Sequence, residues 1–409
     1  MVFLRQFSNF VSLLSKKQCM MVLQIVLAAM AYTLAAAAET DDSATVHRVE
    51  VEVVPGLILK TNDFLRGNNG EVRTMNHAFT AKVKYAFAPP SGSREAELYK
   101  GAYQGVGLAY HDLNPQLGNP VSLFLFQGAT IKTLARRLSL NYEWNLGLTY
   151  GWNKYDEDSH PDNRVIGSKM TAYINVDFYL RYMLSKEWDL NLGASITHFS
   201  NGNTSIPNAG LNIAGIKASA AYYFNRREGV KGVRREGVDT AFQRKWVWDL
   251  TLYGAWKRKG LDTETGTFAI PGKYGVVGFN VNPLYQINRW LNIGPSFDAS
   301  YDGSANLEFD YPKADKMQEP TEDDVRLAPW YRRVALGLSG RVEFAMPYFT
   351  INFGIGHNFV NAQTDDLRGF YEILALKIHV LRKAYVHIGY SLYDFYYPNN
   401  LMLGLGVHL

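Results

Sequence analysis

The chain has 409 residues, room for one large domain or two small ones, and a net charge of +4. That near-neutral balance argues against a nucleic-acid partner. The single cysteine, Cys19, argues against a disulfide framework, and an aromatic content of 14% favours strands.

Lys16 and Lys17 precede the apolar run "MMVLQIVLAAMAYTL", which is followed by "AAAAET". A positive flank, a short apolar core and small residues at the end predict a secretory signal peptide over 1–38, cut after Ala38. The run is shorter than the roughly 20 residues a spanning helix needs. Its removal takes away Arg5, Lys16, Lys17 and Cys19 but no acid, leaving the exported chain closer to neutral and free of thiols.

Beyond this leader, segments of about ten residues alternate with period two, the pattern of a membrane β-barrel. In "KMTAYINVDFYLRYML" one face carries Lys169, Thr171, Tyr173, Asn175, Asp177, Tyr179 and Arg181. The other carries Met170, Ala172, Ile174, Val176, Phe178, Leu180 and Tyr182. "TINFGIGHNFV" behaves similarly. Alternation alone does not separate a soluble sandwich from a barrel, which reverses the sense of the two faces. Three features favour the barrel. The strands are longer than the usual five or six residues of soluble sheets. Tight turns ("LSKEW", "INRWL", "AMPYF", "VLRKAY") alternate with long polar loops such as "NKYDEDSHPDNRVIG". Trp144, Trp152, Trp188, Trp246 and Trp248 fall where strands end and an aromatic girdle would sit.

The fold expected is all-β: a transmembrane antiparallel β-barrel of about sixteen strands, either one large barrel or two tandem eight-stranded ones. Residues 46–225 form the first half and 246–409 the second. Between them, 226–245 is a basic linker or periplasmic turn containing "RREGV" twice. "LNLGASITHF" in the first half matches "VHIGYSLYDF" in the second, which suggests a degenerate repeat. The match sets Asp394 against His198 and Tyr396 against Ser200.

In "SITHFSNGNTSIPNAGLN" the parity of Leu190, Leu192, Ala194 and Ile196 continues to His198 and Ser200. On the next strand, Asn212 shares the apolar face with Ala214 and Ile216. His198, Ser200 and Asn212 are therefore expected to project toward lipid at the external rim. Residues two apart on a strand have Cβ atoms about 6.5–7 Å apart, within reach of an imidazole and a hydroxyl. A serine needs a base to become nucleophilic, a histidine supplies one, and a third group fixes its tautomer. N–H donors for an oxyanion are expected from the loop that follows, at Asn201, Gly202, Asn203 and Asn208. A hydrolytic site facing a bilayer implies a lipid ester as substrate.

"HFSNGNTSIPNAGLN", followed by an alternating strand ending in "AAYYF", resembles the PagL-like lipid A 3-O-deacylase family. The resemblance covers roughly 46–225 and is concentrated in Thr197–Asn212. It implies an outer-membrane eight-stranded barrel with a His-x-Ser-Asn motif, in which Ser200 is the nucleophile and His198 the base. It also implies an acidic orienter on the following strand. Here Asn212 stands in that place, and no acid occurs between Asp189 and Glu228. The function expected is an outer-membrane serine esterase hydrolysing an ester-linked acyl chain of lipid A in a Gram-negative bacterium. Lipopolysaccharide and outer-membrane lipid are its partners, the barrel-assembly machinery inserts it, and it uses no cofactor or metal. The alternatives are a non-catalytic porin or structural barrel and a phospholipase-like esterase. "DEDSHPD" (156–162) lacks the spacing of a calcium loop and reads as a solvated external loop.

Overall fold

The computed structural model describes residues 45–90, 93–226, 242–263, 266–309, 324–346, 348–395 and 397–409. The expected signal peptide, most of the expected linker and Tyr396 lie outside the described residues. The first half contains β1 (Val46–Ile58), β2 (His77–Ala88), β3 (Tyr103–Asp112), β4 (Val121–Ala135), β5 (Leu138–Tyr150), β6 (Met170–Met183), β7 (Trp188–Ser200) and β8 (Leu211–Tyr223). Two short helices, α1 (Asp63–Arg66) and α2 (Arg94–Leu98), interrupt its connections.

These eight strands form a closed antiparallel barrel. Its seam is the pairing of β1 with β8, which sets Arg48 opposite Tyr223 and Val53 opposite Ala218. The second half opens with β9 (Trp246–Lys257), β10 (Gly260–Thr263), β11 (Gly266–Ala269), β12 (Tyr274–Gln286) and β13 (Leu291–Asp302). It continues with β14 (Glu308–Phe309), β15 (Val325–Arg326), β16 (Val334–Ala345), β17 (Phe349–Asn358), β18 (Phe370–His379), β19 (Ala384–Tyr393) and β20 (Tyr397–His408). Here β9, β12, β13 and β16–β20 close a second barrel, with Leu252 of β9 opposite Leu405 of β20. The pairs β10–β11 and β14–β15 are small sheets in the loops. Of the two architectures left open by the sequence, the chain adopts two eight-stranded barrels.

The strands that flank the candidate site alternate as expected. Phe178, Leu192, Ile196 and Ile216 are more than half exposed, whereas their neighbours Asp177, Asn191, Thr197 and Lys217 are buried. An outer face made of large apolar side chains around a polar interior is the arrangement a bilayer stabilises. The connections 184–187, 287–290 and 380–383 are tight turns at one end, and 151–169 and 201–210 are long loops at the other. Ser200, the last residue of β7, therefore lies at the long-loop end.

An eight-stranded barrel has an interior just wide enough for side chains, and here they fill it. Arg48, Lys82, Lys84 and Lys217 meet Glu50, Glu52, Glu143 and Asp177 inside the first barrel, all at most 3% exposed. Lys84 Nζ lies 2.6 Å from Glu52 and 2.7 Å from Glu143; Lys217 Nζ lies 2.9 Å from Glu52 and 3.1 Å from Asp177. Four cations facing four anions leave the lumen neutral, which is what allows so many charges to be buried. Nearer the long loops, Phe124, Phe126, Tyr173 and Phe199 close the interior with an aromatic layer. In the second barrel Lys377 pairs with Asp249 and Glu343, and Arg341 lies 2.7 Å from Asp298. Interiors occupied in this way argue against a porin.

Two tryptophans depart from the expected girdle. Trp152 is buried inside the first barrel, where its indole N–H donates to Thr171. Trp144 is buried against the second barrel, its ring edge-to-face with Phe349 at 5.5 Å and beside Leu376. Trp188, Trp246 and Trp248 remain on the outside at the tight-turn end.

Candidate active site

The candidate side chains are carried by β7 and β8, with β6 on the other flank of β7. Along β7, Ser195, Thr197 and Phe199 point inward and are buried, so His198 and Ser200 project outward, half-buried. The register sets His198 opposite Asn212 on β8 and Ile174 on β6, and Ser200 opposite Ala172. Directly opposed antiparallel residues have Cβ atoms about 4.5–5.5 Å apart. This brings the Asn212 amide to the imidazole: His198 Nδ1 lies 2.7 Å from Asn212 Oδ1. An amide oxygen only accepts, so Nδ1 is the nitrogen that donates, and in the neutral ring the lone pair is then on Nε2. This is the tautomer in which a histidine accepts a proton from a neighbouring hydroxyl.

Asp177, the nearest acid on β6 in sequence terms, points the other way and is held in the lumen by Lys217. Among the described residues no carboxylate forms an ion pair with His198, so Asn212 is its only polar side-chain partner there. Ser200 Oγ makes no hydrogen bond among the described residues. The two side chains nevertheless converge on one backbone position. A Cβ at Gly210 would stand 3.1 Å from His198 Cε1 and 3.7 Å from Ser200 Cβ. Gly210 also has φ +73°, a conformation glycine adopts without the penalty other residues meet. It is a candidate site residue that sequence reasoning did not single out; its signal was a glycine two positions before Asn212.

The loop 201–210 uses its amides to hold its own shape. The Asn201 N–H donates to Asn208 Oδ1 at 3.0 Å, and Asn201 Nδ2 donates to the Ser205 carbonyl at 2.9 Å. Asn208 Nδ2 donates to Asn203 Oδ1 at 3.2 Å. These contacts engage the side-chain donors of Asn201 and Asn208 within the loop. The backbone N–H groups of Gly202 and Asn203 donate to no other described residue, and both positions have left-handed φ, +63° and +62°. Of the two, Asn203 is half-buried, whereas Gly202 is buried where the loop meets the second barrel.

Directly along the barrel wall lie Ile196, Val176 and Phe178, an apolar surface leading into the bilayer. The arrangement thus offers a hydroxyl, a histidine with a free Nε2 and unengaged N–H groups above a surface suited to an acyl chain. The second barrel does not repeat it. β19 is likewise the seventh strand of its barrel, and His387 points inward as Asn191 does. The strand ends at Tyr393, however, and Asp394 and Phe395 turn away with φ +52° and +55°.

Comparison with known proteins places sequence similarity on both barrels. Residues 80–221 match the family described as lipid A 3-O-deacylase (PagL), and residues 246–409 match the acyloxyacyl hydrolase C-terminal domain. No curated protein matches the chain. Among solved structures, the outer membrane enzyme PagL is 12% identical, with 42% of this chain and 97% of that one covered at a TM-score of 0.28. The siderophore receptor PirA from Pseudomonas aeruginosa is 9% identical, with 90% and 82% covered at a TM-score of 0.22. The Acinetobacter baumannii outer membrane protein Omp33 is also 9% identical, with 89% and 98% covered at 0.16.

Proposed function

Because the chain belongs to the PagL-like lipid A 3-O-deacylase family, we propose that it hydrolyses an ester-linked acyl chain of lipid A in the Gram-negative outer membrane, with Ser200 as the nucleophile. The observation that carries the serine mechanism is the outward placement of His198 and Ser200 beside Gly210, with the His198 Nδ1–H fixed on Asn212. His198 Nε2 takes the Ser200 proton as Oγ attacks the acyl carbonyl. The N–H groups of Gly202 and Asn203 stabilise the tetrahedral oxyanion. His198 then returns the proton to the sugar oxygen as it leaves. Water, deprotonated by the same imidazole, releases the fatty acid from Ser200 and regenerates the hydroxyl.

Asn212 performs the positioning part of the acid's role without its charge. An amide oxygen holds the tautomer but stabilises the imidazolium less than a carboxylate does. A slower enzyme than one with a complete acid-containing triad is therefore expected. The filled lumens favour this reading over a porin, and the lipid-facing position restricts substrates to molecules whose ester lies at the bilayer rim. Insertion would rely on the barrel-assembly machinery.

The test is mass spectrometry of lipid A from cells expressing the wild type or Ser200→Ala, with heat-modifiable gel migration showing that both barrels are folded. The expected result is a lipid A species lacking one acyl chain with the wild type and its absence with Ser200→Ala. Identical spectra from the two folded proteins would reject the enzyme. Removal of acyl chains from glycerophospholipids with lipid A left intact would instead favour the phospholipase-like alternative.

A further inference from the structure

The long-loop ends of the two barrels meet beside the candidate site. The Arg258 N–H, just past β9, donates to the Asn203 carbonyl at 2.9 Å. A Cβ at Gly202 would stand 2.7 Å from Leu401 Cγ of β20. The loop that follows Ser200 therefore rests against the second barrel. Adjoining this contact is a cavity of about 680 Å³, walled by Gly167, Ser168 and Thr204–Pro207 of the first barrel and by Trp256 and Ile270 of the second.

The charge of this cavity is one-sided. Lys154 and Arg164 enter from the first barrel and Arg258 and Lys273 from the second, against a single acid, Glu157. Lys154 has Asp156 at 3.8 Å. Arg164 lies over the Tyr155 ring at 5.2 Å, and neither it, Arg258 nor Lys273 forms an ion pair among the described residues. The lumen cations of both barrels are matched by carboxylates, so Arg164, Arg258 and Lys273, without an ion pair among the described residues, stand apart. A walled concavity with excess positive charge attracts an anion, and guanidinium and ammonium groups form strong charge-assisted hydrogen bonds with phosphate. Thr204 is four residues beyond Ser200, which places the two within about 14 Å even for a fully extended chain.

We propose that this inter-barrel cleft binds a phosphate group on the sugar headgroup of the same lipid whose ester reaches Ser200, so that the second barrel completes the substrate site. The assignment rests on the deacylase reading for the identity of the lipid. Arg258 and Lys273 are then specificity-determining residues supplied by a barrel that carries no His-Ser pair of its own at the equivalent strand end. It also accounts for the docking of the loop 201–210 on the second barrel: the headgroup contacts and the nucleophile are held in one frame.

The experiment measures equilibrium binding to full-length Ser200→Ala protein in detergent micelles, using fluorescent lipid A and the same lipid with its phosphates removed. The phosphorylated lipid is expected to bind about tenfold more tightly, as one charge-assisted contact implies. Adding Arg258→Gln and Lys273→Gln should abolish that preference and leave the affinity for the dephosphorylated lipid unchanged. Lys273→Gln alone, at an exposed position, should reduce the preference about threefold while keeping heat-modifiable migration. Equal affinity of both lipids for the parent protein, or an undiminished preference in the folded double variant, would overturn the proposal. Displacement by inorganic phosphate at the concentration of the lipid would also overturn it, since the cleft would then take free phosphate. The readout does not use hydrolysis. Discrimination between the lipids without any deacylase activity in the wild type would remove the catalytic reading and leave the phosphate site standing.

Discussion

Asn212→Ala removes the one polar side-chain partner found for His198 among the described residues, an acceptor 2.7 Å from Nδ1. A neutral hydrogen bond of this kind contributes about 1 kcal/mol net. Losing it frees the ring to rotate and lets the proton move to Nε2, where the imidazole no longer accepts from Ser200. At about 1.4 kcal/mol per decade, kcat should fall at least about fivefold from orientation alone, and further from the wrong tautomer. KM should hold, because Asn212 contacts the base and not the acyl chain. Asn212→Asp keeps the side-chain length and replaces the acceptor by a carboxylate, which roughly doubles the strength of the bond to an imidazolium. A gain in kcat of about fivefold is expected. The assay is fatty-acid release from lipid A in mixed micelles by purified protein, with kcat and KM determined separately and heat-modifiable migration as the folding control. Full kcat in folded Asn212→Ala would refute the orienting role. A rise in KM with kcat unchanged would refute the placement of Asn212 behind the histidine.

Two further outcomes follow from packing. Gly210→Ala puts a methyl 3.1 Å from His198 Cε1 at φ +73°; folding should cost about 1 kcal/mol, and deacylation should drop by more than that stability loss explains, compared by chemical denaturation and fatty-acid release. Lys217→Met leaves Glu52 and Asp177 without an ammonium that lies 2.9 and 3.1 Å away. The expected destabilisation is about 3–5 kcal/mol, read as a lower denaturation midpoint, while the protein that remains folded keeps its specific activity because His198 and Ser200 face the other side of the wall.

The inside-out sense of the sheet was legible because β6 and β7 alternate without a break, and parity carried His198, Ser200 and Asn212 onto one face. Their adjacency required only that β7 and β8 be an antiparallel pair. Closure was not legible. Whether β1 meets β8 or β20 depends on pairing Arg48 with Tyr223 across most of the first half, and local periodicity carries no information about that distance. The charged lumen had a sequence signal that went unread: Arg48, Glu50 and Glu52 alternate in "HRVEVEVV", and Lys82 and Lys84 in "TAKVKYAF". Trp144 shows the opposite limit, since an outward tryptophan reads the same whether lipid or a second barrel covers it. In the loop, sequence showed a surplus of amides but not that Asn201 and Asn208 use theirs to hold the loop.

The central claim is that a serine on the outside of a barrel wall is a working nucleophile. It is tested most directly by exposing the membrane-embedded protein to a long-chain fluorophosphonate and locating the adduct by peptide mass spectrometry. A single adduct on Ser200, lost in folded His198→Ala, is predicted. No adduct on Ser200, or labelling that persists undiminished without His198, would contradict it.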